Sequence, residues 1–229
     1  HTGRRVTFPT HCPECNTALV RYDGESAHYC PNDALCPPQI KGRIEHFVSR
    51  DAMNIMGLGS ERINDLVNSG LLCSAADLYS LRAVPLEGCW ALVQGDVDPE
   101  ILRNALEPSL FSEESRTPTP PFLLFNADSR TRRSLVLDNL LRAITDSLSV
   151  SFDRVLYALG IRFVGKVAAK TLAKHFRSLQ ALREATVEEL RDVDGIGDVI
   201  AASVVRFFAD PVDADMVQRL ERAGLQMAM

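Results

Sequence analysis

Apolar residues along this chain follow two rhythms, and the change comes near Gln39. Upstream, "TALVRYDGESAHY" alternates apolar and polar positions around Asp23-Gly24, the pattern of a half-buried β-hairpin closed by a tight turn. Downstream the spacing becomes helical. "IMGLGSERINDLVNSGLL" sets Gly57-Leu58-Gly59 ahead of an amphipathic helix carrying Ile63, Leu66 and Val67. "VLYALGIRFVGKVAAKTLAKHF" repeats the arrangement with Gly160 and Gly165, followed by Val167, Ala168, Leu172 and Phe176. "ELRDVDGIGDVIAASVVRFF" gives the clearest copy, Gly195-Ile196-Gly197 and then Ile200, Ala201, Val204 and Val205. Each copy reads as a short helix, a glycine turn around apolar residues, and a second helix. The expected fold is mainly α, a small β-hairpin leading into an array of helix-hairpin-helix modules. No apolar run approaches the ~20 residues that span a bilayer, which excludes a helical membrane anchor.

One stretch breaks the helical rhythm. After Leu86-Glu87-Gly88, residues 91–132 read as an irregular insertion with at most a short helix near Pro99 to Ala105. It is either a surface loop or a patch read out of frame in the source sequence. Helical periodicity resumes in "RSLVLDNLLRAI", Arg133 to Ile144.

Cysteine placement adds chemistry to the hairpin. Four of the six cysteines form Cys12-x2-Cys15, fourteen residues, then Cys30-x5-Cys36. A C-x2-C turn presents two thiolates to one ion, and a second pair at hairpin distance completes the tetrahedron that zinc accepts. Pro13, Pro31, Pro37 and Pro38 stiffen both knuckles. With all four positions filled by sulfur, the zinc is structural. His28 is a further possible ligand, but four cysteines suffice. Two disulfides are the alternative, disfavoured because no export signal is evident. The chain begins at His1, which reads as a piece of something longer, of the reducing cytoplasm. Cys73 and Cys89 read as ordinary buried thiols. Arg21-Tyr22-Asp23-Gly24 differs by one residue type from the Lys-x-Asp-Gly signature of nucleotidyl transfer, but arginine stays protonated and cannot be the nucleophile.

The formal net charge of −5 argues at first against a nucleic-acid partner. Its distribution argues the other way. From Arg130 to Arg177 ten Lys/Arg face three Asp and no Glu, whereas from Asp51 to Ser129 four basic residues face twelve acidic ones. Glycine turns also bind phosphate without basic side chains. Glycine lets the phosphate approach the backbone, and the following helix offers its free N–H groups and the positive end of its dipole. Such a module grips duplex backbone without reading bases. The residues expected at the DNA are therefore Gly57, Gly59, Gly160, Arg162, Gly165, Lys166, Lys170, Gly195 and Gly197, with Lys174 nearby.

Taken together, these motifs resemble a known family, bacterial NAD-dependent DNA ligase, over its zinc-finger and helix-hairpin-helix domains. The residues that carry the resemblance are "FPTHCPEC", the spacings to Cys30 and Cys36, "GRIEHFVSRDAMNIMGLG", "RVLYALGIRFVG" and "EELRDVDGIGDVIAASVVRFF". The resemblance implies the end of an oligonucleotide-binding fold over residues 1–10, a zinc finger over 11–39 and a helix-hairpin-helix domain over 40–229. It implies a C-terminal part of an enzyme that seals nicks in duplex DNA in replication and repair. There, a lysine in an N-terminal domain takes AMP from NAD and passes it to the 5′-phosphate, and the 3′-hydroxyl then displaces it with help from Mg²⁺. NAD and Mg²⁺ would belong to that full-length enzyme, and this portion would be inactive alone, with no catalytic residue. A cytoplasmic, nucleoid-associated monomer is implied. The family's second hairpin should fall near residue 88, where the insertion interrupts it. A non-catalytic repair or recombination scaffold with the same modules is the rival reading; a purely structural zinc-helical module, which would bind no duplex, is a third.

Overall fold

The computed structural model describes residues 8–21, 24, 26–106, 121–132 and 134–229. Most of the N-terminal strand implied by the resemblance and the tip of the zinc hairpin therefore lie outside the described residues. Helices dominate. In chain order they are α1 (Pro37–Val48), α2 (Ser60–Asn68), a 3-10 helix (Ala75–Ser80), α3 (Pro99–Leu106), α4 (Leu135–Ser147), α5 (Phe152–Ala158), α6 (Lys166–Phe176), α7 (Leu179–Glu184), α8 (Val187–Arg191), α9 (Asp198–Ala209) and α10 (Pro211–Ala223). One core runs through all but one of them, from Ile40, Ile44 and Phe47 on α1 through Val155 and Leu156 on α5 to Val217 and Leu220 on α10. The exception, α3, buries Leu102 in a small separate cluster.

Among its described residues, 91–106 and 121–132, the insertion is not irregular, which corrects the expectation for those residues; the part of that expectation falling on residues 107–120 lies outside the described residues. Strands β1 (Leu81–Pro85), β2 (Cys89–Gln94) and β3 (Phe122–Asn126) form an antiparallel sheet in the order β1-β2-β3. Gly88, at φ 75°, closes the first hairpin. The register pairs Val84 with Ala91 and Val93 with Phe122, and these residues pack with Leu102 on one face. The opposite face turns Leu81 and Leu92, with Ala83, Trp90, Leu123 and Phe125 partly buried, into the main core. A sheet apolar on both faces reads along the chain as apolar runs rather than as alternation, so its strands are easily taken for loop. The short helix expected near residues 99–105 is present as α3, and helical structure resumes at Leu135.

Polar ties hold the layers in place. Arg43 on α1 pairs with Asp213 on α10 and, at 3.4 Å, with Asp33 of the zinc hairpin. Burial pushes the Asp213 carboxyl up despite the Arg43 guanidinium beside it. Arg219 on α10 pairs with Asp77, which also closes a capping box with Ser74 at the start of the 3-10 helix. His46 Nε2 donates to the Tyr157 carbonyl at 2.8 Å, docking α1 on the end of α5.

Candidate metal centre and nucleic-acid interface

The four clustered cysteines converge on one point. Their sulfurs all lie within 4.8 Å of one another, with Cys12 to Cys36 at 3.8 Å and Cys15 to Cys30 at 3.5 Å. Sulfurs at ~2.3 Å from a tetrahedral zinc sit ~3.8 Å apart, whereas a disulfide requires ~2.05 Å. The set therefore fits a zinc ion, and all six cysteines are free thiols. The first knuckle closes through Asn16 N–H donating to Cys12 O at 2.9 Å, with Asn16 at φ 56°. The Thr17 hydroxyl and amide at the Cys15 sulfur lower that thiol to about 6, while burial pushes Cys36 up to about 12. Four thiolates are tenable there because a divalent cation draws off their protons. No open coordination position remains, so the ion's work is structural. Cys36 is also the N-cap of α1, which begins at Pro37. His28 is exposed and stacks near Phe8, with ring centroids 6.2 Å apart. Cys73 and Cys89 depart from the expectation of buried thiols: Cys73 is exposed and Cys89 half-buried.

The three turns share one backbone plan. Between α1 and α2, Gly57 has φ 92°, Leu58 is buried and Gly59 is the N-cap at φ −78°. Between α8 and α9, Gly195 has φ 81°, Ile196 is buried and Gly197 is the N-cap at φ −91°. Only the first glycine of each pair needs positive φ. A Cβ added at Gly59, Gly165 or Gly197 would meet nothing within 4 Å, and their φ values suit any residue. Open space in front of an N-cap is what an approaching phosphate would occupy. Glycine also brings no side chain to the first-turn amides of α2, α6 and α9. By contrast, Ser178, Thr186 and Asp210 cap α7, α8 and α10 with side-chain oxygens.

The middle turn departs from the expected pairing of Gly160 with Gly165. Here the first position of the motif is Phe163, at φ 66°, followed by buried Val164 and the N-cap Gly165. Gly160, at φ 69°, instead follows the end of α5, where its N–H donates to Tyr157 O at 3.1 Å. A Cβ on Gly160 would lie 3.5 Å from His46 Cδ2, an ordinary van der Waals contact, so what asks for glycine there is the left-handed backbone that ends α5. A bulky residue at positive φ costs about 1–2 kcal/mol relative to glycine. The side chain gives part of a reason. The Arg162 guanidinium carbon stands 4.8 Å from the Phe163 ring centroid and 4.8 Å from that of Tyr29 in the zinc hairpin. No sequence signal marks Phe163 as a left-handed residue except its register with Gly57 and Gly195.

Charged groups are distributed unevenly among the turns. Lys166, first in α6, pairs with Asp51 from the first module, and Arg154 donates to Arg50 O at 2.7 Å. These contacts set the first and middle turns side by side. Lys166 and nearby Arg154 and Arg50 hold the Asp51 carboxyl below the usual range. Lys170 and Lys174 are exposed on α6, and neither has an ion pair among the described residues. The third turn is tied to neither of the others by an ion pair or hydrogen bond among the described residues; there Arg191 pairs with Asp198 at 2.7 Å.

Known proteins share both features. Residues 11–37 match the NAD-dependent DNA ligase C4 zinc finger domain, and residues 154–217 match the helix-hairpin-helix motif. The chain is 41% identical over 225 residues to a DNA ligase of Phocaeicola vulgatus, covering 98% of this chain and 28% of that protein. It is 40% identical over 225 residues to a DNA ligase of Bacteroides fragilis, with the same coverage. It is 38% identical over 223 residues to one from Chlorobium chlorochromatii, covering 97% of this chain and 27% of that protein. The chain is homologous to a segment of bacterial NAD-dependent DNA ligase. It spans 28% of the length of the first of these DNA ligases. Within this chain Cys12, Cys15, Cys30 and Cys36 all lie inside the matched zinc finger, and the middle and third turns lie inside the matched hairpin motif. No helix of the described residues is long and apolar enough to cross a membrane.

Proposed function

We propose that this chain is the duplex-gripping part of an NAD-dependent DNA ligase that seals nicks. Backbone amides at Gly57–Gly59, Phe163–Gly165 and Gly195–Gly197 bind successive phosphates of a nicked duplex. Arg162, Lys166 and Lys170 add charge at the middle turn, which is the strongest contact of the three. The zinc finger, residues 11–39, is a rigid joint to whatever precedes it, and residues 40–229 form the gripping array. The observation that supports this reading most directly is the repeated N-cap glycine with open space before it and uncapped amides behind it. Fold stability asks for none of those three glycines, whereas close approach of a ligand does.

In the complete enzyme NAD would supply the adenylate and Mg²⁺ would assist its transfer, both at residues other than these. Arg21 cannot act as a nucleophile, and on this reading the lysine that takes the adenylate belongs to residues other than these, so this chain alone forms no AMP adduct. It acts as a monomer in the cytoplasm, at the nucleoid. The test is fluorescence anisotropy with nicked and intact duplexes at low salt, where backbone contacts are strongest. Saturable binding that weakens steeply with salt is expected. No binding to either duplex at 50 mM salt would refute the proposal.

A further inference from the structure

The four cysteines of the metal site are not equally sheltered. Cys12 and Cys36 are buried, at 8% and 1% exposure, whereas Cys15 and Cys30 are half-buried. The sulfurs of the two accessible residues stand 3.5 Å apart, closer than the 3.8 Å between those of the buried ones. This pair is split between the knuckles, so a bond between Cys15 and Cys30 would cross the hairpin. The buried residues are the ones that the backbone holds. Cys12 N–H donates to Thr17 O at 2.8 Å, Cys12 O accepts from Asn16 N–H at 2.9 Å, and Cys36 is the N-cap of α1. One edge of the sulfur tetrahedron thus belongs to residues that solvent reaches, and the opposite edge to residues fixed in the fold.

The neighbours of the accessible sulfurs set an order of reactivity. The Cys15 sulfur lies 3.2 Å from the Thr17 hydroxyl, and Asn32 Nδ2 donates to that hydroxyl at 3.4 Å. With a thiolate at Cys15, the hydroxyl proton goes to the sulfur. A donor on a thiolate draws charge from it and blunts its attack, which leaves Cys30 the stronger nucleophile of the two.

We infer that Cys15 and Cys30 form an oxidation-sensitive edge of the zinc site, where a hydroperoxide joins the two sulfurs in a disulfide and so releases the metal. The Cys30 thiolate attacks one peroxide oxygen; the O–O bond breaks, hydroxide leaves and Cys30 becomes a sulfenic acid. The Cys15 thiolate then attacks the Cys30 sulfur. The S–S bond forms, the S–O bond breaks and a second hydroxide leaves. Two protons from solvent turn both hydroxides into water. The two sulfurs together give up two electrons, the peroxide takes them, and zinc keeps its charge but loses two of its four ligands. A dithiol reductant reverses the exchange, so the modification is a switch rather than damage. The inference rests on the metal site and not on the reading of duplex binding.

The test treats the zinc-loaded wild-type chain with graded hydrogen peroxide. A metallochromic dye reads zinc release, and disulfides are mapped in a tryptic digest after free thiols are alkylated. Cleavage after Arg21 and Lys41 leaves Cys12 and Cys15 on one peptide and Cys30 and Cys36 on the next. A Cys15–Cys30 disulfide therefore links the two peptides, with Cys12 and Cys36 recovered alkylated. That species is expected to accumulate in step with the loss of one equivalent of zinc, and a dithiol with added zinc should restore the full equivalent. A dimedone trap for sulfenic acid should label Cys30. A chain carrying Cys73→Ser and Cys89→Ser keeps all four ligands and should give the same map, which excludes exchange with the outlying thiols. Zinc released with a disulfide inside the first peptide, with a Cys12–Cys36 link, or with no disulfide would overturn the inference. So would a full equivalent of zinc retained after Cys15 and Cys30 had paired. Absence of zinc from the freshly purified chain would overturn it together with the metal site itself.

Discussion

Replacing Gly165 by alanine separates the demands of the fold from those of the ligand. The native backbone at Gly165, φ −78° and ψ 177°, is open to any residue, and the new methyl would meet no atom within 4 Å. Alanine is a poorer N-cap than glycine, a loss of some tenths of a kcal/mol, and it narrows the unfolded ensemble, a gain of ~0.4–1 kcal/mol. The two nearly cancel. A net change within ~0.5 kcal/mol corresponds to a shift of roughly 1–2 °C in Tm for a chain of this size. The ligand would notice far more. A hydrogen bond to a charged group contributes ~1.5–3 kcal/mol, so a methyl that displaces one phosphate from the α6 amides lowers affinity by about tenfold or more. Gly195→Ala is the counterpart, because its φ of 81° makes alanine strained. It is expected to destabilise by ~1 kcal/mol. Thermal unfolding and anisotropy with nicked duplex measure both quantities on the same samples. A Gly165→Ala variant that lost stability but bound duplex like the wild type would refute the reasoning, since the glycine would then be serving the fold.

Other perturbations test other parts of the molecule. Cys30→Ser is expected to bring zinc below one equivalent and to expose residues 10–40 to amide hydrogen exchange, because structural zinc contributes its binding energy directly to folding; retention of a full equivalent with unchanged protection would count against the metal site. Asp51→Asn frees Lys166 from an exposed ion pair, and should leave Tm nearly unchanged. Duplex affinity should rise by roughly two- to threefold, as expected for removing one like charge ~8 Å from a phosphate in water; a fall in affinity would place Asp51 away from the duplex. The amide and hydroxyl of Thr186 hold the Glu189 carboxyl below its ordinary 4.5. Its contribution to stability is therefore fully present above pH 4.5 and disappears as pH falls through the depressed value. Glu189→Gln should flatten the acid side of the stability curve in that window, and an identical acid slope would show the capping box to be irrelevant.

Much of the metal site and two of the three turns could be read from spacing alone. Two C-x-n-C pairs around an alternating hairpin have few physical solutions, and Gly-h-Gly before an amphipathic helix names both the left-handed residue and the open N-cap. The middle turn was harder because its left-handed residue is Phe163, a type that propensity places elsewhere. Gly160 stands three residues earlier, and its left-handed backbone ends α5 rather than opening the turn. The sheet was misread for another reason. "LRAVP", "CWALVQ" and "FLLFN" are short, lie beside Pro-rich sequence and are apolar on both faces, so the period-2 signal of a half-buried strand is absent. Cys73 is exposed just before the Ser74–Asp77 capping box, and nothing in the sequence marks it as exposed.

Cys36 gives one sulfur to the metal and, through its carbonyl, accepts from the N–H groups of Gln39 at 2.9 Å and Ile40 at 3.0 Å. The start of α1 and the zinc site thus share one residue. α1 in turn supplies Ile44 and Phe47 to the main core. A chain completed under zinc starvation is expected to hold the opening turn of α1 less firmly, which limited proteolysis with and without zinc would read as faster cleavage near residues 10–40. Zinc scarcity would then reduce the amount of this protein by degradation before it altered the behaviour of any finished molecule.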